Sequence, residues 1–335
     1  MRLDDSDGAV SVSVVIPVYH GADTLPGLVE ELRALHEPVQ TPDGRWLVVD
    51  EVLLVWDRSV DGSDAIIRDL ARRESWIRPV WLSRNFGQHA ATLAGMTSSG
   101  GDWIVTMDED GQHDPAFIGA MLDTAYRNRA QLVYAAPSNP PPHSWIRNAG
   151  SRTAKWLFVE LLASGTPKAF HSYRLVSGEA GRSVAAYTGP DVYLDVALSW
   201  VVADAATCPV PMRSEGRPAS SYSYRKLASH FWRLVISSGT RPLRLVSFLG
   251  IFFALVGVVV SLYSIVRRLQ GDIPVAGWTS VFVTVLVVGG ATLFSLGIIA
   301  EYVASAAKMS MGKPVYVIVQ DPAEIFGEDL GEPPR

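Results

Sequence analysis

The chain has 335 residues, 48% of them hydrophobic, with a formal net charge of -5 and a single cysteine, Cys208. The acidic balance excludes general attraction to nucleic acid, so any anion site must come from local arginines. One cysteine excludes an intrachain disulfide, which suits a reducing compartment.

Residues 1–13 are acidic and polar, without the basic-then-apolar order of a signal peptide. Residues 12–18 are apolar and β-branched, which predicts a buried strand. A helix is expected over 24–35, a strand over 51–56 and a helix over 63–73. Strands follow at 80–82 and 103–107, with a helix between them near 89–96, and another strand lies at 132–135. This alternation predicts an α/β sheet with crossover helices. Pro137 and Pro140 to Pro142 mark a loop.

Charges thin out after Arg244. Residues 224–239 place Leu227, Phe231, Leu234 and Val235 on one helical face and Lys226, His230 and Arg233 on another. An ordinary surface helix shows the same pattern, but the position just before the next segments favours a helix lying at a membrane surface. Two uncharged runs follow, 246–266 and 273–300, each longer than the roughly 20 residues that cross a bilayer. Soluble core helices rarely stay uncharged on every face for so long. The short link from Arg267 to Asp272 makes the runs a hairpin. Basic residues before it (Arg225, Lys226, Arg233, Arg241, Arg244) and after it (Lys308, Lys313) put both ends in the cytoplasm of an inner, or cell, membrane. Gly250, Gly257, Gly289, Gly290 and Gly297 would let such helices approach closely, which leads us to expect a homo-oligomer. The expected domains are a cytoplasmic α/β domain at 1–223, an interfacial helix at 224–244, a transmembrane hairpin at 245–304 and a cytoplasmic tail at 305–335.

The strand ends carry the chemistry. Asp108 and Asp110 in Thr106-Met107-Asp108-Glu109-Asp110-Gly111-Gln112 are two apart, so they point the same way. Converging carboxylates repel unless a cation lies between them. With Gln112 they form a hard-oxygen set for Mg²⁺ or Mn²⁺, which a nucleoside diphosphate can complete. Such an acid pair alone is common in solvated loops, but other strand ends join it. Val14-Val15-Ile16-Pro17-Val18-Tyr19 ends in an aromatic ledge, Leu54-Val55-Trp56-Asp57 ends in an acid, and Ser83-Arg84-Asn85-Phe86-Gly87-Gln88-His89 adds a cation. Open α/β sheets bind ligands outside these carboxyl ends.

In this order the segments resemble the inverting family 2 glycosyltransferases of GT-A fold, and more narrowly the polyprenyl- or dolichyl-phosphate glycosyltransferases. Ser172-Tyr173-Arg174-Leu175, Arg213-x-x-Gly216 with Ser220 to Leu227, Gly277-Trp278-Thr279-Ser280 and Gly297 to Tyr302 extend the likeness to about residues 13–319. The resemblance implies a nucleotide-sugar donor, a polyprenyl phosphate acceptor and a membrane partner. It implies that Pro17, Tyr19, Asp57, Arg84, Asp108 and Arg213 meet the donor, and that Asp108, Asp110 and Gln112 hold the metal. Arg147, Arg152, Arg174, Ser221 and Tyr222 would meet the acceptor phosphate. Asp110, Asp195 and Ser172 are candidate catalytic residues, Ser172 standing where some relatives carry an aspartate. The chain departs from the family pattern at Trp56, where a first acid is usual, and at Gly21, where a glutamate is common. It departs again around Pro137, where an arginine is frequent, and in the loop lengthened by Pro218 and Ala219, with Ser221 in place of a lysine. Two other readings stand beside this one: a glycosyltransferase with another acceptor, and an inactive nucleotide-sugar-binding scaffold. The Gln-x-x-Arg-Trp element of processive synthases is absent, and Asp108, Asp110 and Gln112 argue against the scaffold.

Overall fold

The computed structural model describes residues 8–138, 171–190, 192–213 and 278–326, with scattered positions between 250 and 270. Arg147, Arg152, Ser221, Tyr222, the stretch 224–239 and most of the first apolar run lie outside the described residues.

Two units are present. The first is built on β1 (Val10–Val18), whose residues are buried on both faces, as a central parallel strand requires. It continues through α1 (Leu25–Arg33), β2 (Val39–Gln40), β3 (Trp46–Trp56), α2 (Ser63–Arg73), β4 (Ile77–Leu82), α3 (Gln88–Ser98), β5 (Trp103–Thr106), α4 (Ile118–Asn128) and β6 (Leu132–Pro137). Then come β7 (Arg174–Ser177), α5 (Gly178–Tyr187), α6 (Leu194–Val201) and β8 (Ala205–Val210). With a late strand β9 (Ile318–Val319) at one edge, the sheet order is β8-β6-β7-β5-β1-β3-β4-β9, with β2 on β3. β1 is parallel to β3 and β5, whereas β7 runs antiparallel to β5 and β6. Alternation divides the core. Val14 and Ile16 pack with Leu28, Leu32, Met121 and Leu122 on one face, and Val15 packs with Leu93, Ala94 and Met96 on the other. Gly95 lets α3 sit tight on the sheet, since a Cβ there would stand 2.3 Å from Val15 Cγ1.

The tail is part of this sheet. Strand β9 (Ile318–Val319) pairs antiparallel with β4, and Ser83 N donates to Val317 O at 3.0 Å. The short α8 (Pro322–Phe326) follows. Residues expected as an appended tail therefore supply an edge strand.

In the second unit, α7 (Trp278–Ser310) covers most of the second apolar run and continues past it through Glu301 and Lys308. It ends at Gly312, with φ +64°, where Gly312 N bonds Met309 O and Lys313 N bonds Lys308 O, a Schellman closure followed by Pro314. Val287–Ser310 is the one stretch among the described residues long and apolar enough to cross a membrane. Leu293, Phe294, Leu296, Ile299 and Val303 are exposed on it.

Candidate active site

A pocket of about 340 Å³ opens outside the carboxyl ends of β1, β3 and β5. The chain runs from β1 to β3 and β4 on one side and then crosses to β5 on the other, so the pocket lies at a topological switch point. Its lining includes Pro17, Tyr19, Asp57, Gln88, Asp108, Glu109 and Asp110, which draws together most of the expected donor residues.

Tyr19 is 41% exposed, with His20 edge-on at 4.4 Å, and so offers a ring to the pocket. Asp57 is buried, and its carboxylate oxygens accept Phe86 N at 2.7 Å and Gly87 N at 2.8 Å. Burial pushes its pKa up against those bonds. Asp57 thus fastens the turn before α3 as well as lining the pocket. Nearby Asp61 is held down to about 2, because bonds from Ser63, Ser59 and Ala22 N outweigh its burial.

Asp108 is clamped. Gln88 Nε2 donates to Oδ1 and Ser172 Oγ donates to Oδ2, each at 2.6 Å. Its N–H donates at 2.9 Å to Nδ1 of His113, a buried ring stacked on Tyr173, which leaves the ring proton on Nε2. Burial holds His113 below its ordinary pKa, hence neutral. Asp110 Oδ1 accepts Gln112 N at 3.0 Å across a turn that Gly111 makes at φ +76°. Asp108 and Asp110 both line the pocket with hard oxygens, a donor set that fits Mg²⁺ or Mn²⁺ once a ligand adds its own oxygens. Among the described residues no cluster of three His, Cys, Asp or Glu side chains could hold a metal without such help.

The cations sit differently from the expectation. Arg174, at the start of β7, is only 4% exposed. Its guanidinium bonds Asp195 in the first turn of α6, and Asp195 also accepts Tyr134 OH at 3.0 Å. A buried charge must be paired, and these two neutralise each other. Arg174 is therefore committed to Asp195 and to Ser172 O, not presented to a phosphate. Arg213 lies next to the Asp108–Gln112 loop through its N–H on Gln112 O, but its guanidinium bridges Glu31 and Asp114. Arg84 lies over Phe86 at 4.0 Å and bonds Asn85 O.

The sequence reading missed Gln88, Glu109 and His113 as functional residues. Each stands inside a quoted motif, but its role depends on a partner that only the fold supplies.

Residues 13–174 match the family described as glycosyl transferase family 2, and residues 241–306 match the GtrB C-terminal hairpin. The chain is 25% identical over 314 residues to a bactoprenol glucosyl transferase of Shigella phage SfV, covering 92% of this chain and 98% of the relative. It is 28% identical to an undecaprenyl-phosphate 4-deoxy-4-formamido-L-arabinose transferase of Sodalis glossinidius, covering 92% of each. The fold resembles the crystal structure of mannosyl-3-phosphoglycerate synthase from Rubrobacter xylanophilus, with a TM-score of 0.50, 17% identity and coverage of 70% of this chain and 74% of that one.

Proposed function

We propose that this chain, whose residues 13–174 match glycosyl transferase family 2 and whose residues 241–306 match the GtrB hairpin, carries out inverting, metal-dependent transfer of one sugar from a nucleotide donor to polyprenyl phosphate at the cytoplasmic face of a membrane. The observation that carries the reading is the pocket at the β1, β3 and β5 ends, with Tyr19 on one wall and Asp108 and Asp110 on another. The names of the relatives support the lipid acceptor.

Tyr19 and Pro17 receive the base, and Asp57 keeps the neighbouring turn in place. Asp108, Asp110 and Gln112 would hold a divalent ion, which neutralises the departing diphosphate when bound. Gln88 and Ser172 keep Asp108 aimed. The Ser172 hydroxyl directs its proton at Asp108, and we assign it no role as a base. None is required, because a phosphate monoester with a second pKa near ~6 is already an anion at neutral pH. Arg147 and Arg152 grip that anion, since a guanidinium fork suits phosphate. Arg174, paired with Asp195, steadies Ser172 through its bond to Ser172 O. The product is a polyprenyl-phosphate monosaccharide for cell-envelope glycans.

The test is mass spectrometry of lipid after the full-length protein is incubated with polyprenyl phosphate and a panel of UDP- and GDP-sugars. One hexose added to the lipid phosphate is expected. Transfer only to protein or glycan, with the lipid unchanged, would overturn the reading.

A further inference from the structure

In the turn that follows β5, the middle residue of Asp108-Glu109-Asp110 reaches away from the loop that bears it. Its carboxylate crosses to the turn after β1, where Oε2 accepts Tyr19 N at 2.9 Å and Oε1 accepts His20 N at 2.8 Å. Two residues further along that turn, Ala22 N donates to Asp61 at 3.3 Å. Between them stands Gly21, whose Cβ, if it had one, would lie 2.7 Å from Glu109 Oε2 and 3.0 Å from Leu25 Cγ. Its φ is not in the left-handed region. Glycine is therefore required here for space and not for backbone conformation.

We propose that Glu109 is a positioning residue for donor binding. It ties the loop bearing Asp108 and Asp110 to the backbone under Tyr19, and Gly21 is the space that admits its carboxylate. The two walls of the pocket are then one piece, and a nucleoside seated on Tyr19 holds its diphosphate at a fixed distance from the acid pair. This rests on the reading of the pocket as a nucleotide-sugar site. Both carboxylate oxygens are used, so an amide cannot replace them. One of its ends would turn an N–H against an N–H.

The experiment uses the full-length protein with Mg²⁺, titrated with UDP and GDP, together with steady-state kinetics on the nucleotide sugar and on polyprenyl phosphate. Glu109→Gln, Glu109→Ala and Gly21→Ala should each weaken nucleotide binding and raise the nucleotide-sugar KM by about tenfold or more. The lipid KM should hold and kcat should fall less than KM rises. Gly21→Asp in the Glu109→Ala background puts a short carboxylate beside the same amides and should recover much of the loss. Variants that melt earlier yet keep nucleotide affinity and KM would overturn the proposal, as would a double variant no better than Glu109→Ala. If the unaltered protein binds neither nucleotide, it is the reading of the pocket that falls.

Discussion

Asp110 makes a turn bond to Gln112 N and lines the pocket, whereas Asp108 has Gln88 and Ser172 on its two oxygens. Substitution at Asp110 should therefore cost chemistry more than fold. Asp110→Asn is expected to lower kcat/KM by at least about 100-fold, the scale of a lost metal contact, with an unchanged melting temperature. EDTA should do the same to the unaltered protein, and full turnover in either case would remove the metal from the proposal. At the acceptor, Arg152→Ala should raise the KM for polyprenyl phosphate far more than that for nucleotide sugar, by roughly 2–5 kcal/mol of lost pairing. The reverse split would assign Arg152 to the donor. The acid pair was legible because its spacing and its strand lie within one short stretch. The Glu109 latch was not, because it joins residues about ninety apart in sequence, and no local pattern encodes that. Arg174 depends on the fold in the same way. Its motif resembles a phosphate site, but burial beside Asp195 decides what its charge does.

At the scale of elements, most strands and helices of the first half were readable from apolar runs. β2 and β9 were not, since two residues carry no periodicity. An ion pair braces the residues just after β9. Arg68 on α2 donates Nε and Nη2 to the two oxygens of Asp321 at 2.7 and 2.8 Å, and the guanidinium lies 4.9 Å from the Trp81 ring. Burial would raise Asp321, but the Arg68 bonds, the Ala323 N–H and the Arg68 and Arg72 charges outweigh it and hold the pKa below the ordinary carboxylate value. A lowered folded pKa means that the stabilisation is complete above about pH 4 and is lost as pH falls through the folded value. Asp321→Asn should loosen residues 314–326 at neutral pH by about 1–3 kcal/mol. Hydrogen exchange at Ser83, Ile318 and Val319 would report it, and the same amides should open in the unaltered protein only in acid. Equal protection in Asp321→Asn would show that the strand pairing alone holds the tail.

For the whole molecule, the incorporation of the tail limits how the chain can cross a membrane. β9 follows α7 in sequence, yet it pairs with β4 in the sheet that begins at β1. If the chain crosses a bilayer, residues before the hairpin and after it therefore lie on one side of it, and the crossings between them must be even in number. If α7 is one crossing, residues 223–277 must supply another, and the uncharged run at 246–266 has the length for it. The small residues of the two runs (Gly250 and Gly257, then Gly289, Gly290 and Gly297) suit close helix packing, and we expect a homo-oligomer. A monomeric mass in mild detergent with activity retained would refute that. For the sidedness we propose, from the basic residues that flank the hairpin, that the sheet lies in the cytoplasm. A cysteine introduced at Gln270, in a variant whose Cys208 is replaced by serine, should react with a membrane-impermeant maleimide in intact cells. One introduced at Arg335 should react only after the cells are opened. If Arg335 labels from outside, the orientation is reversed. If the two positions label from the same side, α7 is not a single crossing, and the hairpin reading fails.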